Sequence, residues 1–207
     1  MSNDIFNQYG NDPITLFQAW YDEAAAQEPN DPEAICLATA DKNGRPSARM
    51  VLLKECSPRG FKFHSNAHSH KGQDILDNPQ ASFCLYWKST RKQIRVSGTV
   101  QSVSPDESDA YFATRPRARA IGAWASQQSQ GFDHEDDLAK AVAFYEDKFK
   151  DADVIPRPDY WQGFLIVPDS IEFWIGNKDR LHTRFIYHRE NTDIAAEDSW
   201  QARWLYP

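Results

Sequence analysis

AICLATADKNGRPSARMVLLKE, residues 34–55, reads as two strands joined by a tight turn. Ala34–Ala40 and Ser47–Glu55 are short, apolar-rich runs, and Lys42-Asn43-Gly44-Arg45 between them carries the Asn-Gly pair that accepts the positive φ of a hairpin. Ser57-Pro58-Arg59-Gly60 is a further turn, and Phe61–Ser65 a third strand. A helix over His68–Asp77, stopped by Asn78-Pro79, separates these from two more strands, Ala81–Trp87 and Lys92–Ser102. Strands joined by such short connections predict an antiparallel barrel, because closure leaves no open edge.

Upstream, Asp12-Pro13 is an N-cap followed by proline at the first helical position, and Leu16, Phe17, Trp20, Tyr21 and Ala24 form an apolar stripe at helical spacing. That is a helix docked on the core. Downstream, helices are expected from Pro105, within Thr114–Ser129 and over His134–Lys150. Strands then return at Gly163–Val167, Ile171–Ile175, Arg184–Arg189 and Ser199–Leu205. The fold class is α+β, mainly β, with one domain over residues 12–207 behind a loose N-terminus, residues 1–11.

The chain has 207 residues, 41% hydrophobic and 13% aromatic, enough for a sizeable core. A net charge of -7 argues against nucleic acid as an electrostatic partner. No apolar run reaches membrane-spanning length, and the first residues carry neither a basic nor an apolar signal region. Cys36, Cys56 and Cys84 are odd in number and form no CxxC. Cys36 and Cys84 lie in apolar strands, so buried free thiols in a cytoplasmic protein are expected.

Against the acidic average, TRPRARAIGAWASQQS (114–129) sets Arg115, Arg117 and Arg119 within five residues. Guanidinium forks suit phosphate, and the following Trp, Gln and Ser suit a flat polar ring. In RMVLLK (49–54), alternation puts Arg49, Val51 and Leu53 on one strand face and Met50, Leu52 and Lys54 on the other. Ser69-His70-Lys71 opens a helix, where anions are favoured. Gln93 offers an amide donor and acceptor to a heteroaromatic edge, and Arg180, His182 and Arg184 alternate, so that in an extended segment they project to one side. Each motif taken alone also fits a solvated charge. The spacing of His64, His68 and His70 matches no closed zinc pattern, and no metal is expected. GxSxG, GxGxxG and GxxxxGK[ST] are absent.

Together the motifs RMVLLK (49–54), FHSN with SHK (63–71), KQIRVSG (92–98), YFATRPR (111–117), IGAWASQQS (121–129), IEFW (171–174) and RLHTRF (180–185) make the chain resemble the pyridoxamine 5'-phosphate oxidase family, from about Asp12 onward. The resemblance implies an FMN-binding split barrel, a homodimer with FMN at the subunit interface, and oxidation of pyridoxamine or pyridoxine 5'-phosphate to pyridoxal 5'-phosphate with O2 reduced to hydrogen peroxide. Carried across, Arg49, Ser65 and Lys71 would hold the FMN phosphate and ribityl chain, within a wall that includes Met50, Val51, Leu52, Leu53, Lys54, His64 and His70. Gln93, Gln128, Ser129, Trp174 and Arg184 would complete the flavin site, partly from the other subunit. Lys54, Tyr111, Arg115 and Arg119 would surround the substrate phosphate. Arg180, Leu181 and His182 would lie by the pyridine ring, with Arg180 and His182 the catalytic pair. The chain departs from the family at Arg119, where serine is usual, at His70, where arginine is common, and after Trp200, where an arginine is missing. The family's N-terminal extension also looks shortened. The alternative is a non-catalytic split barrel that binds flavin or pyridoxal phosphate.

Overall fold

The computed structural model describes residue 10, residues 12–189 and residues 200–207. The expected loose N-terminus lies outside these, apart from Gly10, as does Ser199. In chain order the elements are α1 (Pro13–Ala25), β1 (Ala34–Ala40), β2 (Pro46–Ser57), β3 (Gly60–Asn66), α2 (His70–Asp77), β4 (Gln80–Trp87), β5 (Lys92–Ser102), α3 (Pro105–Ala113), α4 (Arg117–Ala125), α5 (Asp137–Lys148), β6 (Trp161–Ile175), β7 (Thr183–His188) and β8 (Gln201–Leu205).

The opening hairpin pairs β1 with β2 from Ala34↔Leu52 to Ala40↔Pro46. Its turn is built as the residues dictate: Gly44 takes φ +79, and the Asp41 carboxylate accepts the Asn43 and Arg45 amides at 2.8 and 2.9 Å. The strands run in the order β3-β2-β1-β4-β5-β6, all antiparallel, and β3 pairs with β6 to close the barrel. β7 and β8 extend the sheet beyond the closure from the second half of β6.

β6 corrects one reading. Proline and aspartate at 168–169 suggest a break between two strands, yet a single 15-residue strand runs through. Gly98 pairs with Pro168 and Ser97 with Ser170, so Asp169 is the extra residue of a bulge. A bulge tolerates the missing proline donor and bends the strand. The bend lets the first half of β6 close the barrel while the second half carries β7. Gly98 is required opposite it, since a Cβ there would lie 2.1 Å from the Val167 carbonyl oxygen.

The stripe of α1 enters the core. Leu16, Phe17, Trp20 and Ala24 are buried, with Phe17 edge-on to Phe61 at 4.9 Å and Trp20 edge-on to Phe173 at 5.0 Å. Each large side chain so buried contributes about 1.5–3 kcal/mol. A smaller cluster of Phe112, Ile121, Phe149, Ile155 and Trp161 holds the helical section together. Arg117 belongs here. It donates to the carbonyls of Phe149 at 2.6 Å and Ala152 at 3.0 Å, tying the start of α4 to the end of α5. Cys36 is exposed and Cys84, its partner on β4, only half-buried, against expectation: the alternation turns Ile35, Leu37, Phe83 and Leu85 inward and both thiols to the other face. Among the described residues no helix is long and apolar enough to cross a membrane.

Candidate active site

A cavity of about 830 Å³ opens between β2, β3, the start of α2 and the α3–α4 region. β2 brings Arg49, Met50, Val51, Leu52 and Lys54 to it; β3 brings His64 and Ser65; α2 brings His70 and Lys71; and Tyr111, Arg115, Arg119, Gln128 and Ser129 close the far side. Leu53 does not join them. It takes the inward step of the β2 alternation, 6% exposed, and packs in the core. Immediately after it the β2–β3 register shifts between Leu53 and Glu55, leaving Lys54 as the bulged residue on the cavity wall.

One end of the cavity is centred on Lys71. Its side chain is buried, and its ammonium donates to Ser65 Oγ (2.9 Å), Ser69 Oγ (3.0 Å) and Gln128 Oε1 (3.0 Å). Burial first, and the Arg49 charge second, push its pKa down to about 8. None of its three partners is a carboxylate, so the positive charge lacks an anion. Ser69 is the N-cap of α2 and accepts the Gly72 amide; Ser129, at φ +75, accepts the His70 amide on its Oγ at 3.2 Å and fastens the 126–129 loop to the helix start. Arg49 donates to Thr39 Oγ1 (2.7 Å) and to Ser47 Oγ. Behind it Asp74, buried, accepts from Thr39 (2.6 Å) and Ser47 (3.0 Å) and lies 3.8 Å from the guanidinium.

At the other end, Lys54, Arg115 and Arg119 surround an adjoining cavity of about 370 Å³ with Leu52, Tyr111, Thr114 and Pro116. Arg115 stacks over Trp161 at 4.9 Å and donates to the Arg119 carbonyl at 3.1 Å. Burial, and then the Arg119 charge, lower its pKa, while Tyr111 opposes them. His64 lies parallel to both Tyr111 and Trp161, and burial followed by Lys62, Arg115 and Lys54 drives its pKa down to about 4. The imidazole is therefore neutral at working pH. Arg49, Lys54, Lys71, Arg115 and Arg119 all face these two cavities, and no Asp or Glu is among the described residues lining them. In a chain of net charge -7 this is a local concentration of positive charge, of which Lys54 lies 3.7 Å from the Glu33 carboxylate.

The remaining sequence-predicted residues stand elsewhere. Gln93, Trp174 and Arg184 are directly opposite one another across β5, β6 and β7. The β6–β7 loop holds Arg180, at φ +64, Leu181, which is exposed, and His182, whose Nδ1 accepts the Asn177 amide at 3.1 Å and whose ring is 4.6 Å from Trp174. None of these six lines the main cavity. β3 meets β6 only over its first half, Trp161–Ile166, whereas Trp174 lies in the second half, beyond the closure and paired with β5 and β7. These six residues therefore form a group apart from the residues that line the main cavity. Among the described residues no group of three or more His, Cys, Asp or Glu is arranged to hold a metal ion.

Several neighbours of the site are not singled out by sequence. Asp74 carries one usable signal, since it follows His70 by four residues in a helix and so shares its face. Trp161 and Thr39 carry none, because their roles depend on strand pairing.

Residues 21–149 match the profile of pyridoxamine 5'-phosphate oxidase, and residues 161–207 that of the pyridoxine 5'-phosphate oxidase C-terminal dimerisation region. The chain is 49% identical over 197 residues to the pyridoxine/pyridoxamine 5'-phosphate oxidase of Agrobacterium fabrum, covering 95% of this chain and 93% of that one. It is 48% identical over 206 residues to the enzyme of the same name from Brucella canis, covering 100% and 98%. Among solved structures, PhzG from Burkholderia lata 383, in complex with tetrahydrophenazine-1-carboxylic acid, superposes with a TM-score of 0.87 at 29% identity over 98% of this chain and 96% of that one. A pyridoxamine 5'-phosphate oxidase-related FMN binding protein from Nostoc punctiforme shares the fold, with a TM-score of 0.73 at 18% identity, over 94% and 98%. The chain belongs to the pyridoxine/pyridoxamine 5'-phosphate oxidase family of enzymes.

Proposed function

We propose that this protein is an FMN-dependent oxidase that converts pyridoxamine 5'-phosphate, pyridoxine 5'-phosphate or both to pyridoxal 5'-phosphate. The observation that carries this reading is the pair of cationic cradles in one acid-free cavity, Lys71 with Arg49 at one end and Lys54 with Arg115 and Arg119 at the other. Cofactor and substrate each bring a phosphate, and each cradle is suited to one. A volume of about 830 Å³ is within the range of about 300–1,000 Å³ usual for small-molecule sites.

The residues present fit FMN. Lys71 is a buried cation bonded only to hydroxyls and an amide, beside the amide-rich start of α2, which is the chemistry a phosphate requires. When bound, FMN supplies the two-electron acceptor for oxidation of the C4' amine or alcohol and passes the electrons to O2, giving hydrogen peroxide. With the amine, one water is consumed and ammonia is released. The chain's own residues then bind and orient. Lys54, Tyr111 and Arg115 grip the substrate phosphate, each charged hydrogen bond being worth about 1.5–3 kcal/mol. Arg180 and His182 lie against the pyridine ring and steady the charge that develops there, positioning being the larger requirement of such a step. Gln93, Trp174 and Arg184 would complete the flavin site from a second subunit in a homodimer, because none of them lines the cavity of its own chain. The matched dimerisation region and the exposed Met50 and Leu181 near the two half-sites support that arrangement. Cys36, Cys56 and Cys84 are free thiols, as a reducing cytoplasm allows.

The test is direct. Purified protein should be yellow, and pyridoxamine 5'-phosphate with O2 should yield pyridoxal 5'-phosphate and peroxide in equal amounts. A yellow protein that leaves both phosphorylated substrates unchanged would sink the proposal.

A further inference from the structure

We infer that Glu172 is a positioning residue for the flavin half-site on β5–β7: it fixes the plane of the Arg184 guanidinium without touching a ligand itself. The inference rests on the reading of Arg184 given above. Glu172 is only 4% exposed although it sits on the outer face of β6, one rung from Trp174. Its Oε1 accepts from Arg184 Nε at 2.9 Å, and its Oε2 accepts from Arg95 Nη1 at 3.2 Å. Arg95 is directly opposite it on β5, whereas Arg184 reaches it diagonally from β7.

Arg184 is held a second time, with Nη1 donating to the Tyr206 carbonyl at 2.9 Å. Two fixed donors on a planar, delocalised group define its orientation completely. Nη2 has no partner among the described residues and is the donor left for a ligand. Arg184 is opposite Trp174, which is opposite Gln93, so this free donor lies in the same cross-strand row as the other two groups of the half-site. The outer partner differs in kind. The Arg95 side chain is 52% exposed against 25% for Arg184, so Arg95 balances the buried carboxylate from the solvent side while Arg184 is the group being aimed. Replacing the carboxylate by a neutral amide removes the counter-ion of Arg184 and weakens its Nε contact, so that the Tyr206 carbonyl becomes its firmer hold.

The experiment compares FMN dissociation constants of the apoprotein, read by quenching of flavin fluorescence, for wild type, Glu172→Gln, Arg184→Ala and the double variant, with circular dichroism and Tm for each. Expected is roughly tenfold weaker FMN binding in Glu172→Gln, little change in Tm, and no additional loss when Arg184 is already alanine, since the two act as one unit. Glu172→Asp, which keeps the charge, should recover part of the affinity and provides the test should the glutamine variant fold poorly. FMN affinity unchanged in a folded Glu172→Gln, or losses that simply add in the double variant, would overturn the inference while leaving the oxidase reading intact. Unchanged affinity in Arg184→Ala would overturn both the inference and the placement of Arg184 at the flavin.

Discussion

The imidazole of His64 and the phenol of Tyr111 lie parallel, 6° apart with ring centres at 4.0 Å. Both His64 ring nitrogens are buried without a hydrogen-bond partner among the described residues. The ring therefore acts as a flat spacer that backs Tyr111 and Trp161, and through Trp161 the stacked Arg115. Phenylalanine can serve as that spacer. His64→Phe should leave KM for the phosphorylated substrate nearly unchanged, whereas His64→Ala should raise it severalfold.

The same ring gives a pH dependence. Its pKa in the folded protein, about 4, is below the ordinary 6.5, so the unfolded chain binds the extra proton first. Its contribution to stability is complete above pH 6.5 and is lost as pH falls toward 4. Wild type should lose Tm between pH 7 and 5, and His64→Phe should lose less. Identical slopes in thermal melts would show that the burial of His64 is not what sets its proton affinity.

Lys71 has the opposite exposure to pH. Its charge is required for a phosphate and is lost as pH rises through about 8 in the apoprotein. FMN affinity, measured by fluorescence titration from pH 7 to 9.5, should fall across that interval; starting at pH 7 avoids the phosphate's own ionisation near 6. Lys71→Met should bind FMN about ten to a hundred times more weakly, the worth of one charged hydrogen bond, and show a flatter profile. A wild-type profile independent of pH would mean the phosphate is held without this ammonium.

Much of this site was legible because its signals are local. The Asn-Gly turn, the two-residue alternation of β2 and the Ser69 cap each need only a few neighbouring residues to be read. The arginine cluster was legible as a cluster but not in its division. Arg115 and Arg119 face the cavity, while Arg117 turns to the carbonyls of Phe149 and Ala152, a choice set by where α5 ends. Pro168 misled for the same reason. A proline reads locally as a strand break, and only its pairing with Gly98, seventy residues earlier, makes it a bulge. Cys36 shows that an apolar run does not report which face is covered.

Arg119, the position at which the resemblance implies a serine, adds a third cation beside Lys54 and Arg115. If it meets the substrate phosphate, Arg119→Ser should raise KM roughly three- to tenfold with little change in kcat, and the KM of the wild type should rise more steeply with salt than that of the variant. Equal KM values and equal salt slopes would place the guanidinium in solvent.

Arg180 is the sharpest test of the two-half-site arrangement. It sits in the β6–β7 loop at φ +64, outside the cavity of its own chain, beside His182 and Trp174. Arg180→Ala should cut kcat by two or more orders of magnitude, the scale expected when a group that positions the reacting ring is removed, while the protein stays yellow with unchanged FMN content. Loss of FMN would instead assign Arg180 to the cofactor. Complementation gives a second readout. Mixed dimers of Arg180→Ala and Lys71→Met chains should regain up to about half of wild-type activity per dimer, because one of the two composite sites then contains neither substitution. If each site were built from a single chain, every site in the mixed dimer would carry one defect and no activity would return.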